Sequence, residues 1–433
     1  METSITFVAQ TDDEVYRKIT WRLLPFLLLC YTVAQVDRFN IGFAKLQFIH
    51  DLSLNDASFG VAASMFSIGY VAFEVPSNLM LARIGVRKIL LRIMVLWGIC
   101  CSLLSLAQGA HYLYIMRFLL GLAEAGFFPG LVVYLTYWYP NRYRGRIMSL
   151  LGIALPLSGA IGGPLAGCIM DSLQGVSGWH GWQWLFFIEG LPAVLLGVIA
   201  YFYLQDKPGQ ADWLSTDEKR LVIDDLEGDP KASSAKSPKN FRAALRDPKV
   251  YLMALIYFAF FCSLNSIMLW GPTLLRIVGL KTVTSIGWWS GYISAVSIAG
   301  MLVVGYSSDR MVERRWHAAL CGITVAVCLL LLPLASQSSG LTIALLMVAS
   351  VGVYSFYGIF WTIPSAYLGS SAMAGGIALI SSLGYCGAIV SPTFVGWIKV
   401  QTGSLYIGLS TIGVIVLLGM LLLLIFLPGP ERK

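Results

Sequence analysis

Twelve long apolar stretches occupy most of this 433-residue sequence, and they restrict the chain to folds that a lipid bilayer can hold. An α-helix needs about 20 apolar residues to cross a hydrocarbon core of about 30 Å. Hydrophobic residues make up 57% of the chain and charged residues 12%, a balance far from that of a soluble domain. We therefore predict an all-α membrane protein with twelve transmembrane helices, at residues 21–45, 57–82, 87–107, 111–138, 145–170, 182–204, 250–275, 284–307, 316–335, 341–367, 373–399 and 404–427.

The segment between the sixth and seventh spans has a different composition. It carries many charged residues and a Ser/Pro/Lys-rich run at 231–239, so it cannot bury itself in lipid and is predicted to be a solvated linker, helical around 216–226. Six spans on each side of a linker indicate an internal repeat of two pseudo-symmetric bundles, with a cavity between them near the membrane midplane. The predicted parts are a six-helix bundle at 1–205, the linker at 206–247 and a second six-helix bundle at 248–433.

The basic residues predict how the chain is oriented. Lys and Arg gather near the N-terminus, in alternate loops, in the linker and at the C-terminus, whereas the loops at 50–56, 174–180 and 337–340 carry none. By the positive-inside rule, both termini and the linker are expected on the cytoplasmic side of a plasma membrane, the inner membrane in bacteria. The net charge of +7 is therefore attributed to orientation, and no nucleic-acid partner is expected.

A few ionisable side chains interrupt the apolar spans of the first half. Each costs roughly 2.5 to 3.5 kcal/mol at bilayer depth unless it is paired or faces a polar cavity. Arg117 and Glu124 are two helical turns apart and share a helix face, flanked by small residues, so we interpret this face as the wall of an internal cavity. Asp37, Arg38 and Glu74 lie in the first two spans. A purely structural ion-pair role for these residues is the alternative.

The second half offers aromatic and small polar side chains instead of buried charge. This contrast suggests that the first bundle handles protons and the second shapes the ligand site. The residues concerned are Asn265, Trp270, Tyr354, Tyr357, Trp361, Ser381 and Tyr385.

Several motifs at matching intervals resemble one family of transporters. They are DRFNIGFA at 37–44, EVPSN at 74–78, RFLLGLAEAGFFP at 117–129, GWQWLF at 181–186 followed by Glu189-Gly190, and GYSSDR at 305–310. Over nearly its full length the chain resembles the major facilitator superfamily. Within it, the chain resembles the anion/cation symporter family of tartrate, galactonate, phthalate and hydroxyphenylacetate permeases, with sialin and the vesicular glutamate carriers as distant relatives.

The resemblance implies proton-coupled uptake of a small organic anion by alternating access. Arg38 matches an arginine implied to meet the substrate carboxylate, Asp37 and Glu124 match positions implied to be protonated, and Arg117 matches an arginine that partners such a glutamate. Positions where the sequence departs from the family pattern are also expected to line the cavity. The predicted substrate contacts are Gln35, Arg38, Tyr70, Arg117, Asn265, Trp361, Ser381 and Tyr385, and the predicted gating or structural residues are Glu74, Asp309 and Arg310.

Other classes of function lack their signatures. There is no P-loop, no nucleophile and base constellation and no histidine pairing suited to a metal, so we expect neither an enzyme nor a metal site. We expect no cofactor: a proton gradient would drive transport, with the lipid bilayer, protons and the anion as partners of a monomer. The open alternative is an antiporter, exporter or anion exchanger of the same superfamily, because residues 159–167 partly resemble a glycine motif of antiporters.

Overall fold

The computed structural model describes residues 2–228, 245–311, 313–368 and 373–426, and within these ranges it is helical with no strand. This confirms the predicted all-α class. The helices are α1 (Glu2–Asp51), α2 (Asp56–Ile84), α3 (Val86–Leu104), α4 (Ala110–Glu124), α5 (Phe127–Thr136), α6 (Asn141–Gly152), α7 (Ala154–Ser172), α8 (Gly181–Tyr203), α9 (Thr216–Glu227), α10 (Pro248–Ile277), α11 (Val283–Met311), α12 (Arg315–Leu331), α13 (Ser339–Phe360), α14 (Thr362–Tyr367), α15 (Met373–Thr402) and α16 (Leu405–Phe426).

Eleven helical stretches of the described chain are long and apolar enough to cross a membrane. The remaining predicted span, at 87–107, corresponds to α3. Its first two turns carry Arg87, Lys88 and Arg92, so its composition alone does not qualify it. Since α3 packs along α8 and α4 as the other spans pack along their neighbours, we count it as the twelfth helix of the bundle architecture.

The fourth predicted span, at 111–138, is interrupted directly after Glu124. Ala125 leaves the helical region with φ −56° and ψ 133°, and Gly126 adopts a left-handed conformation with φ +86°. Side chains rarely tolerate that φ, and a Cβ on Gly126 would lie 2.4 Å from Ser77 Oγ, so glycine is required here for two reasons. A single span is thus built from α4 and α5, with Glu124 as the last residue of α4.

Two glycines bring α2 and α4 into backbone contact. A Cβ on Gly121 would lie 2.0 Å from the Phe66 carbonyl oxygen, and a Cβ on Gly69 would lie 2.2 Å from the Phe118 carbonyl oxygen. Small residues at helix crossings let the backbones approach in this way. The contact fixes the position of α4 along the axis of α2, and with it the positions of Arg117 and Glu124.

We expect Gly121→Ala to destabilise the protein by about 1–3 kcal/mol, because the added methyl group has no space at this crossing. Thermal unfolding of the purified protein in detergent measures the effect. The matched control is Gly145→Ala, since a Cβ on Gly145 meets nothing within 4 Å. Equal melting temperatures for the two variants would show that the α2–α4 contact is not tight.

The two halves of the chain contact each other near the loops opposite the linker, which we call the outer end. Backbone approaches here include Gly60 against Pro392, and Gly163 against Gly287, where an added Cβ would lie 2.4 Å and 2.7 Å from the facing carbonyl oxygens. Asp171 Oδ2 accepts a hydrogen bond from the Thr284 amide at 2.7 Å. The two halves are therefore in contact at the outer end in this conformation.

The predicted linker helix is confirmed as α9, which begins with a capping box between Ser215 and Glu218. Two ion pairs attach α9 to the first half: Arg142 with Asp225 at 2.7 Å and Lys18 with Glu218 at 2.8 Å. The Ser/Pro/Lys-rich run at 231–239 lies outside the described residues. The predicted three-part division of the chain stays a prediction.

Candidate functional site

An ion pair between α1 and α4 lies at the centre of the candidate site. Arg38 donates from Nη2 and Nε to the same oxygen of Glu124, Oε1, at 2.6 Å and 2.8 Å. The other oxygen, Oε2, has no hydrogen-bond partner although it is buried. Glu124 is 1% exposed, so its single partner decides whether its negative charge is tolerated.

The expected pairing of Arg117 with Glu124 is wrong for this conformation. The two residues share a face of α4, but seven residues at 1.5 Å per residue place them about 10 Å apart along the helix axis. Arg38 reaches Glu124 from the opposing helix instead. A shared helix face was therefore a poor guide to the ion pair, and its role as a cavity wall stays a prediction.

Arg117, the second arginine of the site, is buried and has hydrogen-bond donors without acceptors. It is 2% exposed, and its Nε and Nη1 have no partner. Its guanidinium lies 4.8 Å from the ring centroid of Phe66, and that of Arg38 lies 5.1 Å from the same centroid. The cation–π contact offsets part of the desolvation of each arginine, but the free donors of Arg117 leave a place for an incoming acceptor.

Asp37 points away from Arg38, into the contact of α1 with α3. It is 3% exposed and accepts hydrogen bonds from Trp97 Nε1 and from Cys101 Sγ, the latter at 2.9 Å. Arg117 and Arg38 act on it only through longer-range electrostatics. Trp97 and Cys101 were not predicted as site residues, although their spacing of four residues on α3 places them on one helix face.

Tyrosines from both halves of the chain lie beside Arg38. The rings of Tyr70 and Tyr385 stack with centroids 5.4 Å apart, and Arg38 lies 4.9 Å from the Tyr70 ring centroid. Tyr31 accepts a hydrogen bond from Gln35 Nε2 at 3.2 Å. Of the predicted substrate contacts, Gln35, Arg38, Tyr70, Arg117 and Tyr385 thus lie in this buried region of α1, α2, α4 and α15.

The other three predicted substrate contacts, Asn265, Trp361 and Ser381, lie elsewhere in the second half of the chain. The Trp361 ring packs edge-on against Tyr257, with centroids 4.8 Å apart. Asn265 donates to the Phe261 carbonyl oxygen of its own helix at 3.1 Å, so one amide hydrogen is already used. Ser381 is half-buried on α15, one turn before Tyr385.

The predicted gating residues have different partners from those expected. Glu74 is half-buried and forms no ion pair with any described residue; Arg38 is the cation that acts on it electrostatically. Asp309 pairs with Arg314 at 2.7 Å, while Arg310 is exposed. Consecutive residues of a helix point in different directions, so the predicted network of Asp309 with Arg310 is corrected to an Asp309–Arg314 pair.

A charged cluster at the outer end was missed by the sequence analysis. Asp56 forms ion pairs with Lys45 and Lys399, with nitrogen-to-oxygen distances of 2.6 Å and 2.8 Å, and the Lys45 ammonium lies 3.7 Å from the centroid of Trp270. We call these three charged residues the Lys45–Asp56–Lys399 cluster. It joins α1, α2 and α15. The sequence did contain a sign of this cluster, because one lysine ends the first predicted span and another ends the eleventh.

Comparison with known proteins identifies the family. Residues 27–392 match the family model described as Major Facilitator Superfamily. The crystal structure of a bacterial homologue of the human lysosomal transporter Spinster, inward-facing and unoccupied, matches with a TM-score of 0.71 at 18% identity. The match covers 93% of this chain and 94% of that chain, and it supports the fold alone.

Three curated relatives match nearly the whole chain. It is 42% identical to NicT, a putative metabolite transport protein of Pseudomonas putida, covering 90% of this chain and 89% of NicT. It is 38% identical to a putative tartrate transporter of Agrobacterium vitis (97% and 96% covered) and 37% identical to a quinolone resistance transporter of Acinetobacter baumannii (98% and 97% covered). These relatives are transporters and not enzymes, and this multi-pass integral membrane protein belongs to the major facilitator superfamily.

Proposed function

We propose that this transporter imports a small carboxylate-bearing organic anion together with protons, by alternating access. The observation that carries the proposal is the arrangement of Arg38, Glu124 and Arg117: a buried carboxylate held through one oxygen, beside a second arginine with free donors. An arginine fork suits a carboxylate ligand. The relative named as a tartrate transporter supports a carboxylate substrate.

In the proposed exchange, the substrate anion competes with Glu124 for Arg38. The anion would accept from Arg38 and from the free donors of Arg117, and Glu124 would lose its only hydrogen-bonded partner. An ionised carboxylate without a partner is costly in a buried site, so Glu124 would take up a proton. Anion binding and protonation would then occur together, because each alone leaves an unpaired buried charge.

The proposed orientation follows the positive-inside rule. We infer a bacterial inner-membrane location with both termini and the linker in the cytoplasm, and a monomer as the working unit because the cavity lies between two halves of one chain. With that orientation, the contacts at the outer end close the site on the side opposite the cytoplasm. The closing contacts between Gly163 and Gly287 and between Asp171 and Thr284 support this inference.

Export of an amphipathic compound by proton exchange is the second candidate function. Two observations favour it: the aromatic wall of Tyr70, Tyr385 and Phe261 suits a flat ring, and one relative is named as a quinolone resistance transporter. The two buried arginines favour an anion over a cation as the ligand.

Uptake into proteoliposomes tests the two candidates. A panel of labelled hydroxy acids, sugar acids and aromatic carboxylates is offered with an inward proton gradient, and again with an uncoupler. We expect one anion to accumulate and the accumulation to vanish with the gradient. Gradient-driven extrusion of a quinolone, with no acid accumulated, would replace import by export.

We expect Arg38→Lys to weaken anion binding about 10- to 100-fold, because lysine offers a point charge where arginine offers two parallel donors. The KM for uptake measures the loss. Arg83→Lys is the control, since Arg83 is exposed on the linker side of α2. An unchanged KM for Arg38→Lys would remove Arg38 from the anion site.

A further inference from the structure

Glu189 is a buried glutamate of α8 that takes no part in the proposed exchange at Arg38. Glu189 is 6% exposed, and neither of its carboxyl oxygens has a hydrogen-bond partner. Beside it the backbones of α8 and α3 touch, since a Cβ on Gly190 would lie 2.3 Å from the Gly98 carbonyl oxygen. The carboxyl group is therefore enclosed by protein and has no cation within ion-pair distance among the described residues.

Asn40 of α1 is the polar neighbour of Glu189. It is fully buried, and its Oδ1 and Nδ2 lack partners of strict hydrogen-bond geometry, although its amide lies near enough to the Glu189 carboxyl group to hydrogen-bond with it. A neutral carboxylic acid matches a side-chain amide, because its O–H donates to the amide oxygen and its C=O accepts from the amide nitrogen. An ionised carboxylate can satisfy only the nitrogen.

The titratable groups around Glu189 come from each helix that packs against α8. Asp37 of α1 and Cys101 of α3 both interact with it electrostatically. On α7, Cys168 is exposed and Asp171 is exposed at the outer end, where it accepts from Thr284. The surroundings of Glu189 thus add negative charge and no compensating positive charge.

The balance of positive and negative charges around the site also favours a protonated Glu189. The ionisable side chains around the site are the buried Arg117, Asp37, Glu124 and Glu189, together with the half-buried Arg38 and Glu74. Two positive charges balance Asp37 and Glu124 as carboxylates. A third ionised carboxylate would leave the core with an uncompensated charge, and buried groups in that position bind a proton instead.

We propose that Glu189 is a second proton-binding site of the first half: a carboxylic acid that holds its proton in this conformation, beside the amide of Asn40. The proposal does not depend on which solute the protein carries.

The protonation of Glu189 is tested without any substrate. Infrared spectra of the purified full-length protein are compared for wild type, Glu189→Gln and Glu227→Gln, the last altering an exposed carboxylate of α9. We expect a carbonyl band of a neutral carboxylic acid that Glu189→Gln removes and Glu227→Gln leaves. A band unaffected by Glu189→Gln overturns the proposal. Because no transport is measured, this result is independent of whether the protein imports an anion.

A measurement on the wild type keeps the proposal testable if the variant fails to fold. Dicyclohexylcarbodiimide modifies protonated carboxyl groups in apolar surroundings, and peptide mapping locates the product. We expect modification at Glu189 and not at Glu227. Absence of labelling at Glu189 contradicts the proton site.

Discussion

Replacing Glu124 by glutamine is expected to abolish gradient-driven accumulation while leaving exchange of labelled for unlabelled anion intact. The amide oxygen of glutamine can still accept from Arg38, so the pair keeps its shape, but the side chain can no longer gain or lose a proton. With a gradient of two pH units, each lost proton lowers the limiting accumulation about 100-fold. Net uptake and counterflow in proteoliposomes measure the two activities separately.

Glu227→Gln serves as the control for a lost carboxylate, because Glu227 is exposed on α9. Accumulation by Glu124→Gln at the wild-type level would show that another group carries the proton. Loss of both uptake and exchange would point to a structural role for the Arg38–Glu124 pair, the alternative that the sequence left open.

The second large effect is expected at the outer end, from Asp56→Asn. This change leaves Lys45, whose side chain is 3% exposed, and Lys399 facing each other without the carboxylate that holds both. Lys45 would then be a buried cation without its carboxylate, a situation that costs about 3–5 kcal/mol when the pair is fully buried, and opening the outer end would relieve this cost by hydrating the lysine. The variant is therefore expected to shift toward an outward-open state.

Electron paramagnetic resonance distances measure this shift. Spin labels at His50 and Gln401, on exposed ends of α1 and α15, are introduced after the native cysteines have been replaced. Asp51→Asn is the matched control, because Asp51 bonds to Trp182 within the first half. Identical distance distributions for Asp56→Asn and the wild type would mean that the Lys45–Asp56–Lys399 cluster does not hold the outer end closed.

Much of the architecture could be predicted because the bilayer imposes it. Apolar stretches of sufficient length have few alternatives to crossing the membrane as helices, and the predicted spans correspond to helices throughout the described chain. The break after Glu124 was not predictable from hydropathy, since Ala125 and Gly126 are as apolar as their neighbours. It depends on a left-handed glycine and on contact with Ser77 of α2.

It was easier to predict which residues belong to the site than to predict which of them form ion pairs. Buried charge is rare enough that Asp37, Arg38, Arg117 and Glu124 could be singled out one by one. Which arginine meets Glu124 depends on the distance between α1 and α4, and sequence spacing reports only distances within one helix. Glu189 carried a motif resemblance but no role, because its isolation from every cation is visible only when α1, α3 and α8 are packed together.

The interruption between α4 and α5 also has a mechanical consequence. A sharp bend in a continuous helix disturbs its hydrogen bonds. After Ala125, which still donates to the Gly121 carbonyl oxygen, the helical ladder stops, and it resumes where Gly130 donates to Gly126. Span 4 can therefore flex at this joint without losing helical hydrogen bonds. Glu124 is the last residue before this joint. A change in its charge therefore acts at the most flexible point of the span, and gain of a proton can change the direction of the helix.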